Sequence, residues 1–278
     1  MAARRNRLEL LARLGYAARG AVSLIIGVLA LLAALGRGGG ATGSKGALQT
    51  LFSQPAGAVL LGVVALGLFG FAMWRAFQSL LDADERGTNA KAIVLRIGQA
   101  VSAVIYVGLG VFALSLLFGW GQGSTEGGEE SARDWTAWLL AQPFGRWLVG
   151  GVGLAVAGAA LGMGYKAWTA SFTQHLAADA PRWVTTLGRV GYVARGIVFL
   201  VIGGFLLLAA WQSDASEARG LGGALASLQA QPFGQALFGL VAAGLAAFGA
   251  FEFAEARYRR IGAPDAGRVA EAAKAKMA

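Results

Sequence analysis

Six apolar stretches alternate with short polar ones along the chain, near residues 14–35, 55–77, 97–118, 146–167, 190–211 and 233–253. Each has the roughly 20 residues of helix needed to cross a hydrocarbon layer about 30 Å thick. None shows the two-residue alternation over ten positions that a membrane barrel would require. The pattern predicts an all-α polytopic membrane protein of six transmembrane helices. Three shorter segments, 45–53, 134–141 and 222–230, carry leucines or tryptophans at helical spacing just before the even-numbered spans. They read as half-buried helices lying along the membrane surface.

The stretches come in pairs, and the pairs repeat. Each odd span opens on a basic residue, an apolar residue and glycine: "RLGYAARG" at 13–20, "RIGQAVSA" at 96–103 and "RVGYVARG" at 189–196. Each even span opens on Gln-Pro-x-Gly: Gln54, Pro55 and Gly57; Gln142, Pro143 and Gly145; Gln231, Pro232 and Gly234. The three glutamines stand 88 and 89 residues apart. Equal intervals of this kind mark tandem structural units. The predicted units are 13–82, 96–170 and 189–260, with an N-terminal segment 1–12, linkers 83–95 and 171–188, and a basic tail 261–278. Two spans per unit give all three the same orientation, so an axis along the membrane normal relates them as a pseudo-threefold. Proline suits the first turn of a helix and pushes its predecessor out of the α region. A kink between surface helix and span is therefore expected, with proline inside the span's first turn.

The thrice-repeated hairpin with its GYxARG openings and QPxG steps resembles the bacterial membrane-protein family known as domain-of-unknown-function family 1206, from about residue 13 to 260. The resemblance implies an architecture and no activity. The middle unit departs from the opening pattern, with Gln99 in place of tyrosine and Ser102 in place of arginine.

Composition narrows the chemistry. Of 278 residues 56% are hydrophobic and 14% charged, against about 25% charged in soluble domains; mean hydropathy is +0.57. With no cysteine and one histidine, disulfides, thiolate metal sites and iron–sulfur clusters are excluded, and neither a metal nor a cofactor is expected. No G-x-S-x-G elbow occurs, and no acidic residue stands at mid-depth of a span, so catalysis and proton coupling are disfavoured. The chain reads as a non-enzyme.

Basic residues are unevenly placed. They gather before span one (Arg4, Arg5, Arg7, Arg13), in both linkers, and after span six (Arg257, Arg259, Arg260, Arg268, Lys274, Lys276). The acidic 125–134 and the glycine-rich 36–46 fall on the other side. The positive-inside rule then places both termini in the cytoplasm of a cell-membrane protein. The tail suits anionic lipid headgroups better than nucleic acid, which wants a folded basic face or interleaved aromatics.

Two arginines stand out, Arg19 and Arg195, about five residues inside spans one and five. Three readings stay open. In the first, each guanidinium reaches back to the headgroups. In the second, one of them pairs with Glu252, which about 30 Å of helix past Pro232 returns to the same level. In the third, with Tyr16 and Tyr192 one turn earlier, they hold an anionic headgroup or solute. Gly158 and Gly162 form a G-x-x-x-G that lets helices approach closely, within the chain or between two copies. A homo-oligomer or an unknown membrane partner stays open. The expected role is structural, lipid-associating or partner-binding. The alternative is a small transporter or channel for an apolar or anionic solute along the threefold axis.

Overall fold

A computed structural model describes residues 2–80, 87, 89–120 and 127–260; the basic tail 261–278 and residues 83–86 and 88 of the linker lie outside them. The described residues form nine α-helices: α1 (Ala2–Ala34), α2 (Ser44–Phe52), α3 (Gly57–Leu80), α4 (Ala90–Phe118), α5 (Gly127–Leu140), α6 (Gly145–Thr169), α7 (Arg182–Gln212), α8 (Leu221–Gln229) and α9 (Gly234–Tyr258). Six of them hold candidate spans: Ala12–Ala34, Gly57–Leu80, Ala92–Phe118, Gly145–Thr169, Arg182–Gln212 and Gly234–Tyr258. Six helices long and apolar enough to cross a bilayer make it a multi-pass membrane protein, and each satisfies its backbone in lipid with its own hydrogen bonds. Residues 2–12 continue as helix into the first span. Helix ends follow local chemistry. Asn89 Oδ1 accepts the Ala92 N–H at 2.8 Å to start α4. Gly119, in the left-handed region, ends it.

The Gln-Pro-x-Gly steps are tight turns, and they correct the expected place of proline. In each unit the glycine N–H donates to the glutamine carbonyl: Gly57 to Gln54 at 2.7 Å, Gly145 to Gln142 at 2.8 Å, Gly234 to Gln231 at 2.6 Å. The residue before glycine is left-handed, with φ of 61° at Ala56, 61° at Phe144 and 59° at Phe233. Proline at the second position and positive φ at the third are the marks of a type II turn. The span starts at glycine, two residues past proline. A side chain there has no room: a Cβ would stand 2.1 Å from the Phe52 carbonyl oxygen at Gly57, 2.4 Å from that of Leu139 at Gly145 and 2.2 Å from that of Gln229 at Gly234. Trp135, Trp138, Phe144, Trp147 and Phe233 are exposed near these turns, where aromatic rings suit a membrane interface.

Three joints between units build the pseudo-threefold. The first span of each unit packs on the second span of another: α1 on α9, α7 on α6 and α4 on α3. Equivalent glycines set each approach. A Cβ would lie 2.3 Å from Ala246 N at Gly27, 3.1 Å from Ala157 N at Gly203 and 2.8 Å from the Phe69 ring at Gly110. Small residues at such crossings let dispersion act between backbones, the main attraction left to helices already in lipid. At the end away from the termini, the surface helices α2, α5 and α8, one per unit, form a cap. Glu129 on α5 accepts the N–H groups of Gly220 at 2.8 Å and Gly223 at 2.9 Å. Lys45 on α2 donates to Ser131 Oγ at 2.6 Å.

Within units the symmetry breaks. In units one and three the two spans pack against each other, α1 on α3 and α7 on α9. The glycine of the opening motif seats a phenylalanine of the same unit's second span: Gly15 against Phe71, Gly191 against Phe248. Counted from Gln54 and Gln231, these two phenylalanines hold the same position, and counted from Gln142 that position is Ala159. The corresponding glycine of unit two is Gly98. A Cβ on Gly98 would meet nothing within 4 Å, and Ala159 is exposed. Along this seam Val101, Ile105 and Val152 are exposed too. Thus α4 and α6 do not pack along one another, and the ring of six spans, ordered α4–α3–α1–α9–α7–α6, is open at its second unit. The phenylalanine that sits against the opening glycine in the other two units is an alanine here, and the space beside Gly98 is empty.

Gly158 and Gly162 do not pack within the chain, which corrects the first of the two uses expected of them. Both are exposed, and a Cβ on either would meet nothing within 4 Å. On α6 the small residues Gly153, Ala157 and Ala160 approach α7.

Candidate functional site

A charged cluster lies inside the spans at the joint between the first and last units. Arg19 and Ser23 stand one turn apart on α1 and so share a face. Across from them Glu252 on α9 is fully buried, at 0% exposure. Arg19 Nη2 donates to Glu252 Oε1, and Ser23 Oγ donates to Glu252 Oε2 at 2.7 Å. Both carboxylate oxygens are therefore satisfied, as a buried charge requires. Arg19 is itself buried. Its guanidinium carbon lies 4.6 Å from the Phe71 ring centroid, 5.8 Å from that of Tyr106 and 5.9 Å from that of Tyr16. Tyr16 and Tyr106 both meet Phe71 edge to face, at 5.2 and 4.8 Å. Arg19 thus packs on an aromatic cage and points its polar end at Glu252.

Next to this pair, two arginines close the terminal end of the joint. Arg259 Nη1 donates to Glu255 Oε1 at 2.5 Å, and its guanidinium lies 4.9 Å from the Tyr16 ring centroid. Arg13 Nη1 donates to the carbonyls of Ala256 at 2.7 Å and Arg257 at 2.6 Å. It thereby satisfies carbonyls that the last turn of α9 leaves without partners. Tyr16 Oη is buried and has no hydrogen-bond partner among the described residues.

Arg195 and Tyr192 occupy a different setting. Tyr192 packs among Phe172, Phe248 and Phe251, with centroid distances of 5.3, 5.3 and 5.8 Å. The Arg195 guanidinium lies 4.9 Å from the Phe248 ring and 5.2 Å from that of Phe199. The contrast with Arg19 follows from the register between units. Counted from each unit's glutamine, the position that holds Glu252 in unit three holds Arg75 in unit one and Met163 in unit two. By pseudo-symmetry the partner position is Glu252 for Arg19, Met163 for Arg195 and Arg75 for Ser102. Only one of the three joints is given a carboxylate. Arg75 instead lies 5.0 Å from the Phe71 ring and donates to Gln78 Oε1 at 3.2 Å.

Of the residues singled out by sequence, Arg19, Tyr16 and Glu252 come together; Arg195 and Tyr192 share the Phe248 ring, away from any carboxylate bond. Ser23, Phe71, Glu255 and the capping roles of Arg13 and Arg259 did not emerge from the linear reading. Their signal lies in the register between units, which appears only when positions are counted from each glutamine. Among the described residues no group of three acidic, histidine or cysteine side chains could hold a metal.

The comparisons with known proteins follow the same three-unit division. The family described as Domain of Unknown Function (DUF1206) matches three times, at residues 14–82, 97–170 and 190–259. The chain is 36% identical over 256 residues to the "Uncharacterized protein YxxB" of Bacillus subtilis (strain 168), covering 90% of each chain. No solved structure matches. With every unit matched in order, the chain belongs to the DUF1206 family.

Proposed function

We propose that the chain is a non-catalytic protein of the cell membrane, with both termini in the cytoplasm, and that it associates with anionic lipid. The observation that carries this reading is how the charges inside the spans are used. Glu252 and Glu255 are held by Arg19, Ser23 and Arg259, so the acidic groups that proton or cation chemistry would need serve helix joints instead. The cationic side chains outnumber them, and the counter-charge abundant in a membrane is the lipid phosphate. Passage of a solute along the threefold axis would have to cross the cap where Glu129 ties α5 to α8 and Lys45 ties α2 to α5.

Lipid analysis of the protein purified in mild detergent tests the reading. Anionic phospholipid enriched over the bulk membrane is expected; a composition equal to the bulk would overturn it. Accessibility of tags at the two ends tests sidedness, and an end found outside the cell would overturn that part.

A further inference from the structure

We propose that the open seam of unit two is an anionic-phospholipid site, with an acyl chain between α4 and α6 and the phosphate on Arg195; this rests on the lipid-associating reading above. The walls are apolar. Gly98, Val101 and Ile105 on α4 and Val152, Ala155 and Ala159 on α6 occupy the positions that form a closed hairpin seam in the other two units, and here they are exposed. The space is therefore the missing half of a helix–helix contact, and it opens sideways into the bilayer.

Charge at one end of the seam selects the occupant. At about 100° per residue, Arg195 lies on the side of α7 opposite the exposed stripe of Val193, Ile197, Leu200 and Gly204, and so faces the inside of the open ring. It is half-buried, and no carboxylate pairs with it among the described residues, because the position equivalent to Glu252 is Met163. The guanidinium lies against the Phe248 and Phe199 rings, neither of which offers it an acceptor, so an oxyanion would take its N–H groups. Lys166, one turn beyond Gly162 on α6, brings a second cation, 5.8 Å from the Tyr192 ring that also packs on Phe248. Two cations at the terminal end of an apolar slot match the build of a phospholipid, a phosphate joined to hydrocarbon chains. A zwitterionic lipid adds a cation that these two groups repel, so an anionic headgroup is preferred.

The test uses native mass spectrometry of the full chain released from nanodiscs of phosphatidylglycerol mixed with phosphatidylcholine. The wild type is expected to keep phosphatidylglycerol selectively. Arg195→Gln should lower that retention by about tenfold, the worth of one charge-assisted contact, while Arg195→Lys keeps part of it. Ala159→Phe restores the phenylalanine of the other units and should close the seam, expelling lipid while raising thermal stability. Arg189→Gln, on the outer stripe, should change neither. Unchanged retention in both Arg195→Gln and Ala159→Phe overturns the site while leaving the lipid-associating reading intact. A wild type that keeps no lipid overturns both. Displacement by inorganic phosphate alone, or a dimer in place of a lipid adduct, overturns the assignment to phospholipid.

Discussion

Glu252 is bonded to Arg19 and to Ser23, one turn apart on a helix that lies 233 residues earlier in the chain. This contact fastens the last span to the first, and among the described residues no equivalent charge pair fastens the other two joints. It makes the α1–α9 joint the polar lock of an otherwise apolar ring.

Removing one partner leaves the other charged and buried. Arg19→Met or Glu252→Met should each destabilise the protein by about 3–5 kcal/mol, whereas the double substitution should recover most of the loss. Thermal unfolding of the four proteins in one detergent checks this. Equal losses in single and double variants would show that packing, not charge, dominates.

The left-handed turn residue offers an opposite pair of outcomes. Ala56 is exposed and has φ of 61°. Glycine relieves a left-handed strain of about 1–2 kcal/mol and adds unfolded-state entropy of about 0.5–1 kcal/mol. Ala56→Gly should therefore stabilise slightly. Gly57→Ala forces a Cβ to within 2.1 Å of the Phe52 carbonyl oxygen and should unfold the hairpin at far lower temperature. A neutral Gly57→Ala would refute the turn.

Two sets of glycines should behave in contrary ways. Gly27→Ala places a methyl 2.3 Å from the Ala246 nitrogen and should cost about 1–3 kcal/mol of overpacking or more. Gly158→Ala and Gly162→Ala face open space and should stay within about 0.5 kcal/mol of wild type, as open positions do. Melting curves separate the two classes; a large loss at Gly158 would reveal a packing partner outside the chain.

The cap should loosen when its acidic side chain is cut. Glu129→Ala removes the acceptor of two backbone N–H groups, each contact worth about 1.5–3 kcal/mol when charge-assisted. Faster amide exchange at Gly220 and Gly223 is the expected reading, with the span interiors unchanged. Unaltered exchange there would show that water replaces the carboxylate without cost.

Six spans, three units and the level of Glu252 were readable because apolar length, motif spacing and helical rise are properties of a linear string. Choice among the three fates of Arg19 was not, since each fits the same depth in the span; only the crossing of α1 and α9 decides which group the guanidinium meets. The proline step was legible as a turn yet misjudged by two residues, because the left-handed backbone at Ala56, Phe144 and Phe233 is a conformation that those residue types do not advertise. Gly158 and Gly162 misled for a related reason: a motif records that two backbones are able to approach, not which way the helix is rotated. The open second unit was hidden in plain letters, as Ala159 gains meaning only beside Phe71 and Phe248.

The pairing of Arg19 with Glu252 also imposes an order on biogenesis. Arg19 leaves the ribosome 233 residues ahead of its carboxylate, a delay of about 10–50 s at ordinary rates of synthesis. For that interval the first span carries an unneutralised cation near the lipid and has no finished neighbour on its α9 side. Until the final helix arrives only headgroups or water can meet that guanidinium, so the joint between α1 and α9 is the last of the ring to close, and a chain cut short before α9 leaves Arg19 without its carboxylate.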